Sequence, residues 1–177
     1  MTLPTAIAIG RALMTIPTCA LLAVGTPATD LAALSLFALA VISDIVDGRL
    51  ARARGEVTAL GIMCDPLADK LLIVGTLGAL ALRGLVPPWA LAVVAGRELL
   101  AVALRLAAGQ PLPAARDGKL KTALQVLAAA TLILAASARS ETLALLGSLL
   151  LLAAVALTVV SGLRLVRRAV QTRAYAA

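Results

Sequence analysis

Residues 30–82 read DLAALSLFALAVISDIVDGRLARARGEVTALGIMCDPLADKLLIVGTLGALAL. The stretch divides into two helix-length segments, about 30–54 and 59–82, apolar at their far ends and acidic where they meet. Asp44, Asp47, Asp65 and Asp69 are four of nine acidic residues in a chain that is 62% hydrophobic. Carboxylates are costly in a chain bound for lipid, so such a cluster implies a task. The spacing suggests divalent cations held against a phosphate-bearing substrate.

Outward from this pair of segments, the same apolar texture continues to both ends. Mean hydropathy is +1.03 over 177 residues, beyond what an ordinary soluble domain shows. A hydrocarbon core of about 30 Å takes about 20 helical residues to cross. Four further spans are drawn at about 5–25, 88–108, 118–136 and 142–166. Asp30 is read as the N-cap of the second span. Gly25-Thr26-Pro27, Gly84 with Pro87-Pro88, and Gly109-Gln110-Pro111 supply the breaks. The segments are long and continuous, which favours helices over the short alternating strands of a barrel. The expected fold is an all-α integral membrane bundle of six transmembrane helices. Residues 1–177 form a single membrane-embedded domain with no room for a separate soluble one. The N-terminal apolar stretch lacks a basic leader and a small-residue cleavage site, so it is expected to stay as the first helix.

Charge orients the bundle. With both termini in the cytoplasm, the outer loops hold only Arg83 and Arg139. The inner side then collects Arg11, Arg49, Arg52, Arg54, Arg105, Arg116, Lys119, Lys121, Arg164, Arg167, Arg168 and Arg173. The net charge of +7 is read as membrane anchoring and attraction to anionic headgroups, not as a nucleic-acid surface. This orientation sets all four aspartates near the cytoplasmic mouth. There is no histidine, so any general base is Asp, Glu, Lys, Tyr or Cys. Cys19 and Cys64 have no metal-ligand spacing and read as small hydrophobes.

Asp44 and Asp47 are three apart and Asp65 and Asp69 four apart, so each pair shares one helix face. A short loop between the segments suggests an antiparallel hairpin in which the pairs converge. Four carboxylates so close repel one another unless cations lie between them. Hard oxygen ligands without His or Cys favour Mg²⁺ or Mn²⁺, and paired ions recur in phosphoryl chemistry. Gly48 and Ala51 leave a low helix surface for a ligand, and Arg52 offers a fork to phosphate oxygens. Gly61 opens space on the facing segment. Each glycine alone is better explained by helix packing.

The run Asp44-x-x-Asp47-Gly48-x-x-Ala51-Arg52, eight residues, Gly61, three residues, Asp65, three residues, Asp69 resembles the signature of the CDP-alcohol phosphatidyltransferases, with every interval intact. The resemblance extends to the six-span architecture. It implies two metal ions held by Asp44, Asp47, Asp65 and Asp69, and a nucleotide site lined by Gly48, Ala51, Arg52 and Gly61. It also implies that Asp69 deprotonates the attacking hydroxyl, that CDP-diacylglycerol is the donor, and that the enzyme is a homodimer among membrane lipids.

A second set of residues bears on the acceptor. Gly96-Arg97-Glu98-Leu99-Leu100, Arg105 and Asp117-Gly118-Lys119-Leu120-Lys121-Thr122 resemble the branch of the family that uses glycerol 3-phosphate, the phosphatidylglycerophosphate synthases. Leu3-Pro4-Thr5, Arg11 and Pro17 resemble it too, with Thr5 where Asn is usual. Arg97 and Arg105 lie two turns apart on one face, and with Lys119 and Lys121 they are candidates for a second phosphate pocket. Snorkelling to the interface is the alternative use of such cations, and is preferred for Arg116 and Arg168. Relatives that make cardiolipin usually carry Asn at the position of Lys121, and an inositol-phosphate acceptor stays open. A cation transporter is the rival from another class, but it calls for acids along a path through the membrane. A structural scaffold gives no reason for the spacing.

Overall fold

The computed structural model describes the backbone of residues 3–54, 59–108 and 117–174, and the side chains of 10–43, 70–104 and 120–167. Within these, the chain is all-helical. Its elements are α1 (Leu3–Val24), α2 (Pro27–Arg54), α3 (Ala59–Leu82), α4 (Pro88–Ala108), α5 (Asp117–Ala138) and α6 (Glu141–Ala174). The six segments expected from the sequence are all present, within a few residues of their drawn ends except at the close of α6.

Two expectations need correction. Asp30 does not cap α2. The helix starts at Pro27, whose fixed φ and missing N–H suit a first helical position. Thr26 is the cap: its Oγ1 accepts from the Thr29 N–H at 3.2 Å, and the Thr26 N–H donates to Thr29 Oγ1 at 3.0 Å. That reciprocal pair satisfies two donors at the helix entrance and frees Asp30 for another partner. Second, α6 does not end near 166. It continues to Ala174 as a 34-residue helix, roughly 51 Å long, so Arg164, Arg167, Arg168 and Arg173 ride on helix. Over the described residues both α2 and α3 pack on α1; the expected convergence of the two aspartate pairs falls on side chains outside the described residues.

Two of the turns use two residues each. Gly25, at φ 72°, reverses the chain between α1 and α2 in a conformation that costs glycine little. Arg139, at φ 50°, does the same between α5 and α6, and the Ser140 Oγ accepts from the Leu143 N–H at 3.4 Å. These short links make α1–α2 and α5–α6 antiparallel neighbours.

The core lies where the helices face inward: Leu22, Phe37, Leu77, Leu80, Val94 and Ile133 are buried. Small residues set the spacing. A Cβ on Gly147 would sit 2.8 Å from Leu132 Cγ and 3.2 Å from its backbone nitrogen, so only a bare glycine lets α6 close on α5. The outward faces are apolar too, with Ile16, Leu39, Leu99, Leu127, Leu149 and Leu163 exposed. Apolar faces on both sides of a helix fit a lipid surround, not water. Among the described residues, Leu120–Ala138 and Glu141–Arg167 are long and apolar enough to cross a membrane. Gly10–Val24, Pro27–Ser43 and Lys70–Leu82 are shorter apolar stretches.

One end of the bundle is tied by charge. Arg83, in the turn between α3 and α4, donates from Nη1 and Nη2 to Asp30 Oδ1 and Oδ2 at 2.5 and 2.9 Å. Asp30 is only 1% exposed. The Ser137 Oγ donates to the Pro27 carbonyl at 2.8 Å, which brings the end of α5 to the same place.

Candidate active site

At the other end of the bundle the helices carry the acidic motif. Asp44, Asp47, Gly48, Ala51 and Arg52 fall on the C-terminal part of α2, and Gly61, Asp65 and Asp69 on the N-terminal half of α3. An unbroken helix through each pair keeps the three- and four-residue spacings on one face, as the sequence reading requires. The side chains of these eight residues lie outside the described ones, as do those of Arg105 and Lys119. The donor set is four carboxylates without His or Cys, a chemistry suited to Mg²⁺ or Mn²⁺.

One residue past Asp69, the described side chains begin and a charged cluster appears. Its centre is Glu98 of α4. Lys121 of α5 donates to Glu98 Oε1, and Arg97 donates from Nη1 to the same oxygen at 3.0 Å. Lys70 of α3 pairs with Glu98 Oε2 at 3.2 Å. The side chains of Lys121 and Glu98 are 3% and 11% exposed, so this is an interior assembly. Buried charges persist only when paired and hydrogen-bonded. Here one carboxylate serves three cations. The Arg97 Nε is buried without a hydrogen-bond partner.

The packing explains why these side chains meet. α4 packs on α3 and α6 and hardly at all on α5 over the described residues, so the Lys121–Glu98 bond crosses a gap. Gly162 of α6 leaves room for the stem of Arg97, whose Cγ would lie 3.4 Å from a Cβ there. One turn beyond Lys121 on α5, the buried Gln125 Nε2 donates to Thr158 Oγ1 at 3.1 Å, and Thr158 donates to the Ala154 carbonyl at 2.7 Å. This neutral pair fixes α5 on α6 just behind the lysine.

Of the four cations expected to form a second phosphate pocket, the structure thus brings Arg97 and Lys121 together. It adds two residues that the sequence reading gave no role, Lys70 and Glu98. A signal was available for Glu98: an acid in mid-helix of an apolar span, beside an arginine, calls for a partner. Lys70 gave no such signal, because one step along a helix turns its side chain about 100° from Asp69. That same turn is what aims it at α4.

A family model described as CDP-alcohol phosphatidyltransferase matches residues 1–160, which include the whole aspartate motif and the Glu98 cluster. The chain belongs to the CDP-alcohol phosphatidyltransferase family. Among its relatives is a probable phosphatidylglycerophosphate synthase of Mycobacterium tuberculosis (strain ATCC 25618 / H37Rv), 38% identical over 146 residues, covering 81% of this chain and 68% of that one. A CDP-diacylglycerol–glycerol-3-phosphate 3-phosphatidyltransferase of Bacillus subtilis (strain 168) is 40% identical over 111 residues, 61% of this chain and 58% of that one. A CMP-forming cardiolipin synthase of Streptomyces coelicolor is 41% identical over a shorter stretch of 76 residues, 43% of this chain and 35% of that one. Membership makes this CDP-alcohol phosphatidyltransferase an enzyme. The acceptor differs among the relatives' names.

Proposed function

We propose that the protein transfers a phosphatidyl group from CDP-diacylglycerol to the primary hydroxyl of glycerol 3-phosphate, releasing phosphatidylglycerophosphate and CMP. The observation that carries this reading is the family match across an intact aspartate motif, in a chain that aligns over 146 residues with a probable phosphatidylglycerophosphate synthase. The Glu98 cluster supports a phosphorylated acceptor, since it brings Arg97 and Lys121 together, two cations suited to phosphate oxygens.

In this reading Asp44, Asp47, Asp65 and Asp69 hold two Mg²⁺ or Mn²⁺ ions, which when bound neutralise the pyrophosphate and the departing CMP. Gly48, Ala51, Arg52 and Gly61 seat the cytidine nucleotide. Asp69 takes the proton from the acceptor hydroxyl, as a carboxylate base in a chain without histidine. Arg97, Arg105, Lys119 and Lys121 hold the acceptor phosphate. Lys70 directly follows Asp69 and touches the same carboxylate as Arg97 and Lys121, which supports a short path from the phosphate cluster to the base.

All six helices span the membrane as one domain, with both termini and the active site at the cytoplasmic face of a bacterial plasma membrane. The charge bias supports this orientation. The family resemblance supports a homodimer. Purified protein given CDP-diacylglycerol and Mg²⁺ should release CMP with glycerol 3-phosphate, and lose that release with a chelator. CMP release with inositol phosphate or phosphatidylglycerol, but not with glycerol 3-phosphate, refutes the acceptor.

A further inference from the structure

We propose that Arg11 is a positioning residue that pairs with Asp69 and balances the charge of the aspartate motif; this deepens the functional reading above and rests on it. The placement follows from how α1 lies on α3. The two helices pack together, and they come close at Gly75, where a Cβ would lie 2.9 Å from Thr15 Cγ2 and 3.4 Å from Cys19 Sγ. Toward the far end Gly25 sits beside Arg83, whose Nε would be 3.4 Å from a Cβ there. Both contacts set later residues of α1 beside later residues of α3, so the helices run in the same direction. About six residues back from the Gly75 crossing along both helices, Arg11 comes level with Asp69.

Arg11 is 3% exposed, about two turns inside an apolar helix. A snorkelling arginine keeps its head at the interface, and this one does not. A guanidinium buried in such a place needs a partner, and Arg11 has one. The acids with described side chains are Asp30, Glu98 and Glu141. Asp30 is taken by Arg83 at the opposite end of the bundle, Glu98 is held by Lys70, Arg97 and Lys121, and Glu141 opens α6 beside the end of α5. The acid level with Arg11 is Asp69. Four neighbouring carboxylates repel one another. One buried guanidinium beside them lowers that repulsion, fixes the Asp69 side chain, and opposes the positive charge of a divalent ion nearby. Arg11 thus tempers the metal affinity of the motif and steadies it in the absence of metal. It acts through Asp69, and the role needs no contact with either substrate.

The test uses the full-length protein in detergent, with Mn²⁺ as the probe. Electron paramagnetic resonance reads free Mn²⁺, and the melting temperature is taken with and without the ion. Arg11→Gln should tighten Mn²⁺ binding at least about threefold, and should lower the melting temperature more without Mn²⁺ than with it. Arg11→Lys, which keeps the charge, should bind Mn²⁺ within about twofold of wild type. Unchanged or weaker Mn²⁺ binding by folded Arg11→Gln overturns the proposal, because a purely structural role changes the number of working sites and not their affinity. A second comparison adds Asp69→Asn to Arg11→Gln. That replacement removes the stranded carboxylate charge, so it should restore most of the lost melting temperature, or restore folding where Arg11→Gln alone does not fold. No recovery overturns the pair. Absence of Mn²⁺ binding by the wild type overturns the metal reading, and the same comparison in metal-free protein then decides for or against the Arg11–Asp69 pair by itself.

Discussion

Replacing Arg83 with Met should destabilise the bundle far more than replacing Asp30 with Leu, although both break one ion pair. The asymmetry follows from burial. Arg83→Met strands the Asp30 carboxylate, which is 1% exposed and loses both its guanidinium donors. An uncompensated buried charge costs about 3–5 kcal/mol. Asp30→Leu strands Arg83 instead, whose side chain keeps 20% exposure in a turn. Its long stem lets the guanidinium swing to water, so the loss is about 1–2 kcal/mol. The double replacement puts apolar groups on both sides and should come back to within about 1 kcal/mol of wild type. Equilibrium unfolding of all four proteins in one detergent measures the cycle, with a coupling of about 3–8 kcal/mol expected from these losses. Activity of each variant at low temperature should be close to wild type, since Asp30 lies 14 residues from Asp44 along α2, or about 21 Å. Equal and additive losses from the two single replacements would refute the reasoning, because they would mean that the pair is solvated on both sides.

Two further outcomes are expected. Asp69→Asn should abolish transfer while sparing metal-dependent binding of the CDP-lipid more than Asp44→Asn does; equal loss of binding in both would remove the case for Asp69 as base. Gly147→Leu should lower stability by about 1–3 kcal/mol through overpacking, because the added Cβ alone meets Leu132 at 2.8 Å. An unchanged melting temperature would show that α6 can move off α5 freely.

The sequence by itself determined the helical architecture and the chemical class. Apolar runs of bilayer length leave helices as the only spans with satisfied backbones, and all six appear within described residues. Charge and breaker residues, which act locally, located the turns. The aspartate spacing named the family because residue intervals along a helix are visible in one dimension. Helix ends were less legible. Thr26 and Asp30 are both acceptable caps by residue type, and only the presence of Arg83 opposite Asp30 leaves the cap to Thr26.

What tertiary structure decided is which helices touch. Nothing in the order of segments says that α1 packs on both α2 and α3, or that α5 and α4 stand apart at Lys121. Consequently the sequence assigned four cations to one pocket by charge alone, without the acid that unites two of them with Lys70. Lys70, Glu98 and Lys121 are far apart in the chain, and a cluster among them depends on helix rotation and approach. Those are set by packed side chains such as Leu132 against Gly147, a three-dimensional fit that composition and spacing do not encode.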